Sequence, residues 1–424
     1  MMHSLMLSLL KRVAVGAACL AAVAASAGHA AAETPSLFKS ATPADVSAAA
    51  ASDARPKGLA QVREQLLALD ADVANALDRT GEVKIALFPN AAATFKRTDV
   101  DEAYGGGFIW VGEAGSTGAA TLVVQNGKIT GYVRLRGRSY EIAGVGGRAH
   151  RVVEIAADKL PPEGPITVPK ELQGGKDDGI ATPDELAAAK DDKTTTIKVN
   201  IHFTATATSD PIGDGNLAIA LANQAYKASG VKIKAKFVAY SVISYPENSY
   251  TWDQTLSNMT YTDQPGSAYF NDMRAGREQF KADLVVLIHS RNEYCGLGWY
   301  VTKPSAATSG LGYSLVSRDC ITNKSVAHEM GHNMGLDHDR YVAGKAPKSA
   351  YNFGFVVLNK RIRSIMAYDN KCNDKGFTCE RLNRFSSPDD KVQGEKFGVP
   401  KGKSGAADAA RRLNETREAI SKYR

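Results

Sequence analysis

Three of the chain's eight histidines fall in the stretch 328–339, His328-Glu329-Met330-Gly331-His332-Asn333-Met334-Gly335-Leu336-Asp337-His338-Asp339, and no other feature constrains the fold as tightly. On a helix, residues four apart share one side a turn apart, so His328 and His332 can present two imidazoles to one ion. Glu329 follows His328 directly, which lets its carboxylate reach a water at an open coordination position without filling one. Gly335 can take a left-handed conformation at the helix end and turn the chain so that His338 returns to the same ion. Three protein ligands and an open position form a catalytic arrangement, whereas closed structural sites use four. The pattern predicts a Zn2+ site with His328, His332 and His338 as ligands and Glu329 as general base.

The N-terminus reads as an export signal. Lys11 and Arg12 precede the uncharged run Val13 to Ala27, and small residues follow at Gly28, Ala30, Ala31 and Ala32, so residues 1–32 are expected to be a signal peptide cleaved before Glu33. The competing membrane anchor would need about 20 apolar residues, more than this alanine-rich run supplies. Gly16 stands where a lipid-modified precursor carries a larger aliphatic residue before Cys19. A secreted or periplasmic destination fits the cysteines: apart from Cys19, all lie between 295 and 379. Two disulfides are expected, and proximity favours Cys295 with Cys320 and Cys372 with Cys379. A second metal site is the alternative, but no CxxC pair is present. The net charge of +7 is scattered, without an aromatic-interleaved basic stripe, so no nucleic acid partner is expected. No stable membrane insertion is expected either, and the chain reads as a monomer acting on protein or peptide substrates.

The hydrophobic fraction of 44% in 424 residues suffices for one large or two modest domains. A helix is expected from Pro56 to Leu77, where Leu59, Val62, Leu66, Leu69 and Val73 recur at spacings of three and four. Residues 82–155 read as short strands separated by glycines, an antiparallel unit with the turn Asn126-Gly127 and no catalytic constellation. The polar, proline-bearing stretch 161–193 reads as a linker open to proteolytic nicking. After Thr194 the pattern changes to strand (197–203), helix (216–229), strand (231–242), helix (270–280) and a fully apolar strand (284–288), the order of an α/β domain. The expected organisation is therefore a signal peptide (1–32), a propeptide with a β-rich unit and linker (33–193), and a catalytic domain with a C-terminal helical segment (194–424).

The histidine stretch resembles the metzincin signature HExxHxxGxxH followed by Asp, and Ser364-Ile365-Met366-Ala367-Tyr368 resembles the Met-turn of those peptidases. Cys295-Gly296-Leu297-Gly298-Trp299-Tyr300, Ser317-Arg318-Asp319-Cys320, Arg381-Leu382-Asn383-Arg384-Phe385-Ser386 and the stretch 409–417 are similar to the bacterial peptidyl-Asp metallopeptidases. The likeness runs from about Thr194 onward; residues 33–193 resemble that family's propeptides in position and composition. It implies an α/β (α+β) metzincin-like zinc peptidase domain, a twisted mixed sheet with an active-site helix, preceded by a β-rich prodomain. It also implies that Met366 floors the metal without binding it, that Tyr368 is an extra ligand or an oxyanion donor, and that Gly296 to Val301, including Gly298, forms the edge strand along which substrate lies. Asp339 either ties the ligand loop to the Met-turn or caps a loop.

The family cleaves on the amino side of aspartate, which requires a cation in the receiving pocket. Asn359-Lys360-Arg361-Ile362-Arg363 carries three positive charges, and alternation would send Arg361 and Arg363 to one side. The expected function is a zinc endopeptidase cutting before Asp. The alternatives are a metzincin of different specificity, a secreted zinc-binding or toxin-like protein without turnover, and a structural β protein with a fortuitous motif.

Overall fold

The computed structural model describes residues 34–52, 58, 60–173, 192–344, 346–347 and 349–424, so the expected signal peptide and linker residues 174–191 lie outside the described residues. No helix among the described residues is long and apolar enough to cross a membrane.

The N-terminal portion builds a nine-stranded sheet: β1 (Phe38–Ser40), β2 (Gln61–Leu69), β3 (Glu82–Phe88), β4 (Ala91–Glu102), β5 (Phe108–Ala114), β6 (Gly118–Gln125), β7 (Lys128–Leu135), β8 (Arg138–Gly146) and β9 (Ala149–Ile155). The order is β1-β2-β9-β8-β7-β6-β5-β4-β3, with every pair antiparallel. From β3 to β9 it is a plain meander, held in register by tight turns. Asn126-Gly127 and Arg136-Gly137 both have two successive positive φ values, 49° and 71° in the first and 52° and 75° in the second, the conformation that matches a hairpin's twist. Val83, Ile85 and Leu87 alternate into a core with Phe95, Trp110, Leu122 and Tyr140.

The helix expected over 56–77 is a misreading. The chain forms α1 (Pro43–Ser52) earlier, then strand β2, then only the short α2 (Ala71–Asn75). Strand β2 is paired on both sides, by β1 and β9, and these ladder bonds override the apparent helical spacing. Val62, counted on the helical face, is 53% exposed. Asp70 ends the strand and caps α2 by accepting from Val73 N at 3.2 Å. The acidic run at 99–102 belongs to β4, and Asp99 pairs with Lys227 while Asp101 pairs with Lys234.

The second portion is a mixed sheet of β10 (Thr195–Thr204), β11 (Ile233–Ile243), β12 (Leu284–His289), β13 (Gly296–Gly298) and β14 (Tyr313–Ser317), in the order β11-β10-β12-β14-β13. Four strands are parallel, and β13 runs antiparallel at the edge. Helix α3 (Pro211–Ala228) crosses over between β10 and β11; Asp210 caps it by accepting from Gly213 N at 3.1 Å, with Pro211 at the first helical position. All of β12 is buried, as a strand covered on both faces must be. On one face lie α3 and α6 (Ser325–Asn333), and on the other α4 (Trp252–Thr260) and α5 (Asn271–Gln279). Helix α4 escaped the sequence reading because its apolar residues are few; a Thr251–Gln254 capping box starts it. The last helix, α7 (Ala409–Ile420), packs Ala409, Leu413 and Ile420 into the same core as α3. This is a mixed α/β, metzincin-like catalytic fold preceded by a β-rich unit, as expected.

Candidate active site

Every residue of α6 is buried, so the helix works as the floor of the site. His328 and His332 project from adjacent turns with their Nε2 atoms 3.1 Å apart, and His338 brings its Nε2 to 3.1 Å from that of His332. The outer nitrogens face carbonyls: His328 Nδ1 lies 2.9 Å from Ile365 O and His332 Nδ1 2.8 Å from Leu336 O. A proton on Nδ1 satisfies those contacts and leaves the Nε2 lone pairs facing one another. Burial pushes all three rings below the usual histidine range, His332 to about 4, so they are neutral bases. Lone pairs converging in a buried space need a cation between them. Tetrahedral zinc at its usual bond length would set the nitrogens roughly 3.3 Å apart, close to what is found, so the donor set fits zinc.

The turn between His332 and His338 is made by Gly335, whose φ is +89°. Leu336 N donates to Gly331 O at 2.9 Å and Gly335 N to His332 O at 3.1 Å, closing the helix end and redirecting the chain. Met366 is fully buried beneath the helix; a Cβ on Gly331 would stand 2.8 Å from its sulfur. Asp339 fills both roles considered for it. Its carboxylate accepts from Tyr368 N at 2.9 Å, tying the ligand loop to the Met-turn, and from Tyr341 N at 3.0 Å, capping a short helical turn.

Glu329 is buried beside the histidines, its Oε1 4.0 Å from His328 Nε2. Burial, and then the nearby Glu163, push its pKa well above the usual carboxylate range. The space it occupies is created by the edge strand: a Cβ on Gly296 would lie 2.5 Å from Glu329 Oε1, and one on Gly298 3.0 Å from Oε2. Gly298 thus makes room for the carboxylate of α6. The Tyr368 ring lies 4.2 Å from that of His338, tilted by 43°, and its hydroxyl lies 2.9 and 2.5 Å from the carbonyl oxygens of Glu163 and Gly164.

Those carbonyls belong to the stretch expected to be a free linker. Instead, residues 162–167 lie along β13 and its continuation: Cys295 N donates to Pro162 O at 2.7 Å, Gly164 N to Gly296 O at 2.8 Å, and Tyr300 N to Thr167 O at 2.8 Å. Thr167 and Trp299 form a parallel bridge. An edge strand offers unpaired backbone groups, and this chain fills them with its own extended segment. Such segments have no periodic signature and read as linkers.

The disulfides Cys295–Cys320 and Cys372–Cys379 are both formed. The two arginines expected in the acid pocket differ in placement. Arg361 is exposed, its guanidinium over the Phe377 ring. Arg363 donates to Ala367 O at 2.6 Å and Cys379 O at 3.2 Å, and burial pushes its pKa down to about 10. Arg361 has φ +52°, so residues 361–363 do not alternate as a fully extended strand would. The cation in the cleft is Arg381, which the sequence reading placed in a family-like stretch without a role. Nothing in its spacing singles it out.

Residues 213–339 match the metallo-peptidase family M12B, reprolysin-like. A peptidyl-Asp metalloendopeptidase of Stenotrophomonas maltophilia (strain R551-3) is 29% identical over 77% of this chain and 80% of its own length. One from Xanthomonas campestris pv. campestris is 28% identical over 98% of this chain and 99% of its own. Among solved structures, metalloproteinase-II from Bacteroides fragilis aligns at 12% identity with a TM-score of 0.35 over 63% of this chain and 86% of that one, too loose a likeness to inform the site. The chain is a metalloendopeptidase, M12B-like over residues 213–339 and related to the bacterial peptidyl-Asp metalloendopeptidases.

Proposed function

We propose that the chain is an exported endopeptidase that cuts on the amino side of aspartate, with His328, His332 and His338 holding zinc and Glu329 as general base. The observation that carries it is the convergence of three buried, neutral imidazole nitrogens beside a buried carboxylate. Zinc supplies Lewis acidity, polarising the scissile carbonyl and making water easier to deprotonate. Glu329 takes the proton from the attacking water and returns one to the leaving amine, a task suited to a carboxylate whose pKa is raised by burial. Tyr368 donates to the carbonyl oxygen as charge builds on it. Burial raises its phenol pKa, so the hydroxyl stays protonated, and in this structure it already bonds to carbonyl oxygens. Met366 packs beneath the ligands, and Asp339 fixes the Met-turn relative to the His338 loop.

Aspartate specificity rests on the relatives, which bear that name. Residues 33–193 act as a propeptide, because their extended stretch 162–167 covers the edge strand that substrate would use. A secreted or periplasmic location agrees with the two disulfides and the N-terminal sequence. The test is a peptide-library cleavage profile with Glu329→Gln as control and zinc measured by elemental analysis. One zinc per chain, loss of turnover in the control and enrichment of aspartate after the scissile bond are expected. Absence of zinc, or an active control, would refute the mechanism, and a flat profile would refute the specificity.

A further inference from the structure

We infer that Arg381, with Ser325 beside it, is the group that receives the acidic side chain following the scissile bond, and that Glu163 of the chain's own N-terminal portion sits in that pocket as a stand-in for substrate. The inference rests on the acid-specific reading above and names the residues that would produce it.

Arg381 is buried, and its fork is fixed by backbone. Its Nε donates to Ile365 O at 2.8 Å, Nη2 bonds the same carbonyl and lies 2.6 Å from His328 Nδ1, and Nη1 lies 3.2 Å from Asn323 O. What remains of Nη1 points into the cleft, where it forms an ion pair with Glu163 Oε1. Ser325 Oγ donates to the same oxygen at 2.7 Å. Two donors from the catalytic portion therefore converge on one carboxylate, which is 5% exposed. A buried guanidinium without a counter-charge is costly, so the site calls for a carboxylate whether or not Glu163 is the one present. Arg363 stands behind as a second positive charge, but it donates to the backbone carbonyls of Ala367 and Cys379 and lies 3.8 Å from the Asp369 carboxylate.

The pocket is where a side chain next to the reacting bond would go. Glu163, His328 and Glu329 bring ligand atoms within 4.8 Å of one another. Ser325 lies one helical turn before His328. The neighbouring Gly164 pairs with Gly296, the residue whose missing side chain admits Glu329. Glu163 nevertheless does not offer its own preceding bond for cleavage. The carbonyl that would be attacked, that of Pro162, is bonded to Cys295 N, while Tyr368 faces the carbonyls of Glu163 and Gly164. The segment fills the acid pocket with its peptide bonds displaced from the catalytic groups.

The experiment compares Arg381→Gln, Arg381→Lys, Arg363→Gln and Ser325→Ala by the ratio of cleavage before Asp to cleavage before neutral residues, with zinc content checked in each. A charge-assisted contact of this kind predicts that the ratio falls by about 30-fold or more in Arg381→Gln, is partly restored in Arg381→Lys, and falls less in Ser325→Ala, with Arg363→Gln close to wild type. An unchanged ratio in Arg381→Gln, or a larger fall in Arg363→Gln, overturns the assignment while leaving the acid-specific reading standing. A wild-type ratio near one overturns that reading itself. A second measurement is independent of turnover: in the full chain made inactive by Glu329→Gln, nicking between 161 and 173 by an added protease is timed for Glu163→Gln, Arg381→Gln and the double variant. If the two side chains hold each other, each single change speeds nicking and the double adds nothing further. Multiplying effects in the double variant would overturn the pairing.

Discussion

Replacing Glu141 with glutamine removes one of two carboxylates that hold a buried arginine between the N-terminal sheet and the catalytic sheet. Arg318 forms a two-pronged pair with Asp214 of α3, both contacts at 3.1 Å, and an ion pair with Glu141 of β8. The side chains are 11% exposed at Arg318, 12% at Glu141 and 2% at Asp214, so solvent screens little. Although burial works against its charge, the two carboxylates push the Arg318 pKa up. In Glu141→Gln the arginine keeps Asp214 and an amide oxygen, so the loss should be that of one charged hydrogen bond, about 1.5–3 kcal/mol. In Asp214→Asn the two-pronged partner goes, and the expected cost is about 3–5 kcal/mol, the usual range for breaking a buried pair. Urea unfolding of the full chain, carried in Glu329→Gln to prevent self-cleavage, reads both. If residues 33–193 are removed on activation, Glu141→Gln should leave the processed enzyme's stability unchanged while Asp214→Asn still lowers it. A Glu141→Gln cost below about 0.5 kcal/mol, or an Asp214→Asn cost no larger than that of Glu141→Gln, would refute the reasoning.

Further outcomes are expected from other parts of the chain. Replacing Cys295 and Cys320 together should cost about 3.5 kcal/mol and replacing Cys372 and Cys379 about 2.4 kcal/mol, because the loops close over separations of 25 and 7 residues; equal costs in urea unfolding would contradict this. Asp408 is raised to about 6, chiefly by burial, so the folded chain binds its proton more tightly than the unfolded chain. Its stability contribution is complete below the unfolded value near 3.8 and is lost as pH rises through 6. Asp408→Asn, which can still cap α7, should therefore stabilise by up to about 3 kcal/mol at pH 7.5 and about half that at pH 5; thermal unfolding showing no such pH trend would be contrary. Tyr368→Phe should lower kcat by about 100-fold with zinc affinity unchanged, and weakened zinc binding would instead make Tyr368 a ligand.

The histidine cluster was legible because its spacing is set by one helix and one glycine turn, so the three imidazoles and Glu329 lie within eleven positions. The strands of the meander were legible for the same reason, since each pairs with its sequence neighbour. What could not be read is what tertiary packing assembles. Glu163, Ser325 and Arg381 meet from three distant segments, and no spacing in the sequence links them. Strand β2 looked helical because its pairing partners lie far away in sequence, at β1 and β9.

The meander also bears on how such a chain reaches its folded state. Strands β3 to β9 find partners among immediate neighbours, so this sheet can form from short-range contacts as soon as it is made. The parallel strands of the catalytic portion cannot, because each needs a crossover to close first. Helix α3 is the piece that must be placed early, and the finished meander offers it a surface. Ile109, Val123 and Tyr132 share its core, Asn216 accepts from Tyr104 N at 2.8 Å, and the capping Asp210 is bonded by Thr130 of β7. With α3 held there, β10 and β11, which its two ends join, are brought to the same anchored helix, and the slow search for parallel pairing becomes a local one. A chain lacking residues 34–173 is accordingly expected to refold much more slowly than the full chain. Equal rates in dilution from urea would show that the meander guides nothing.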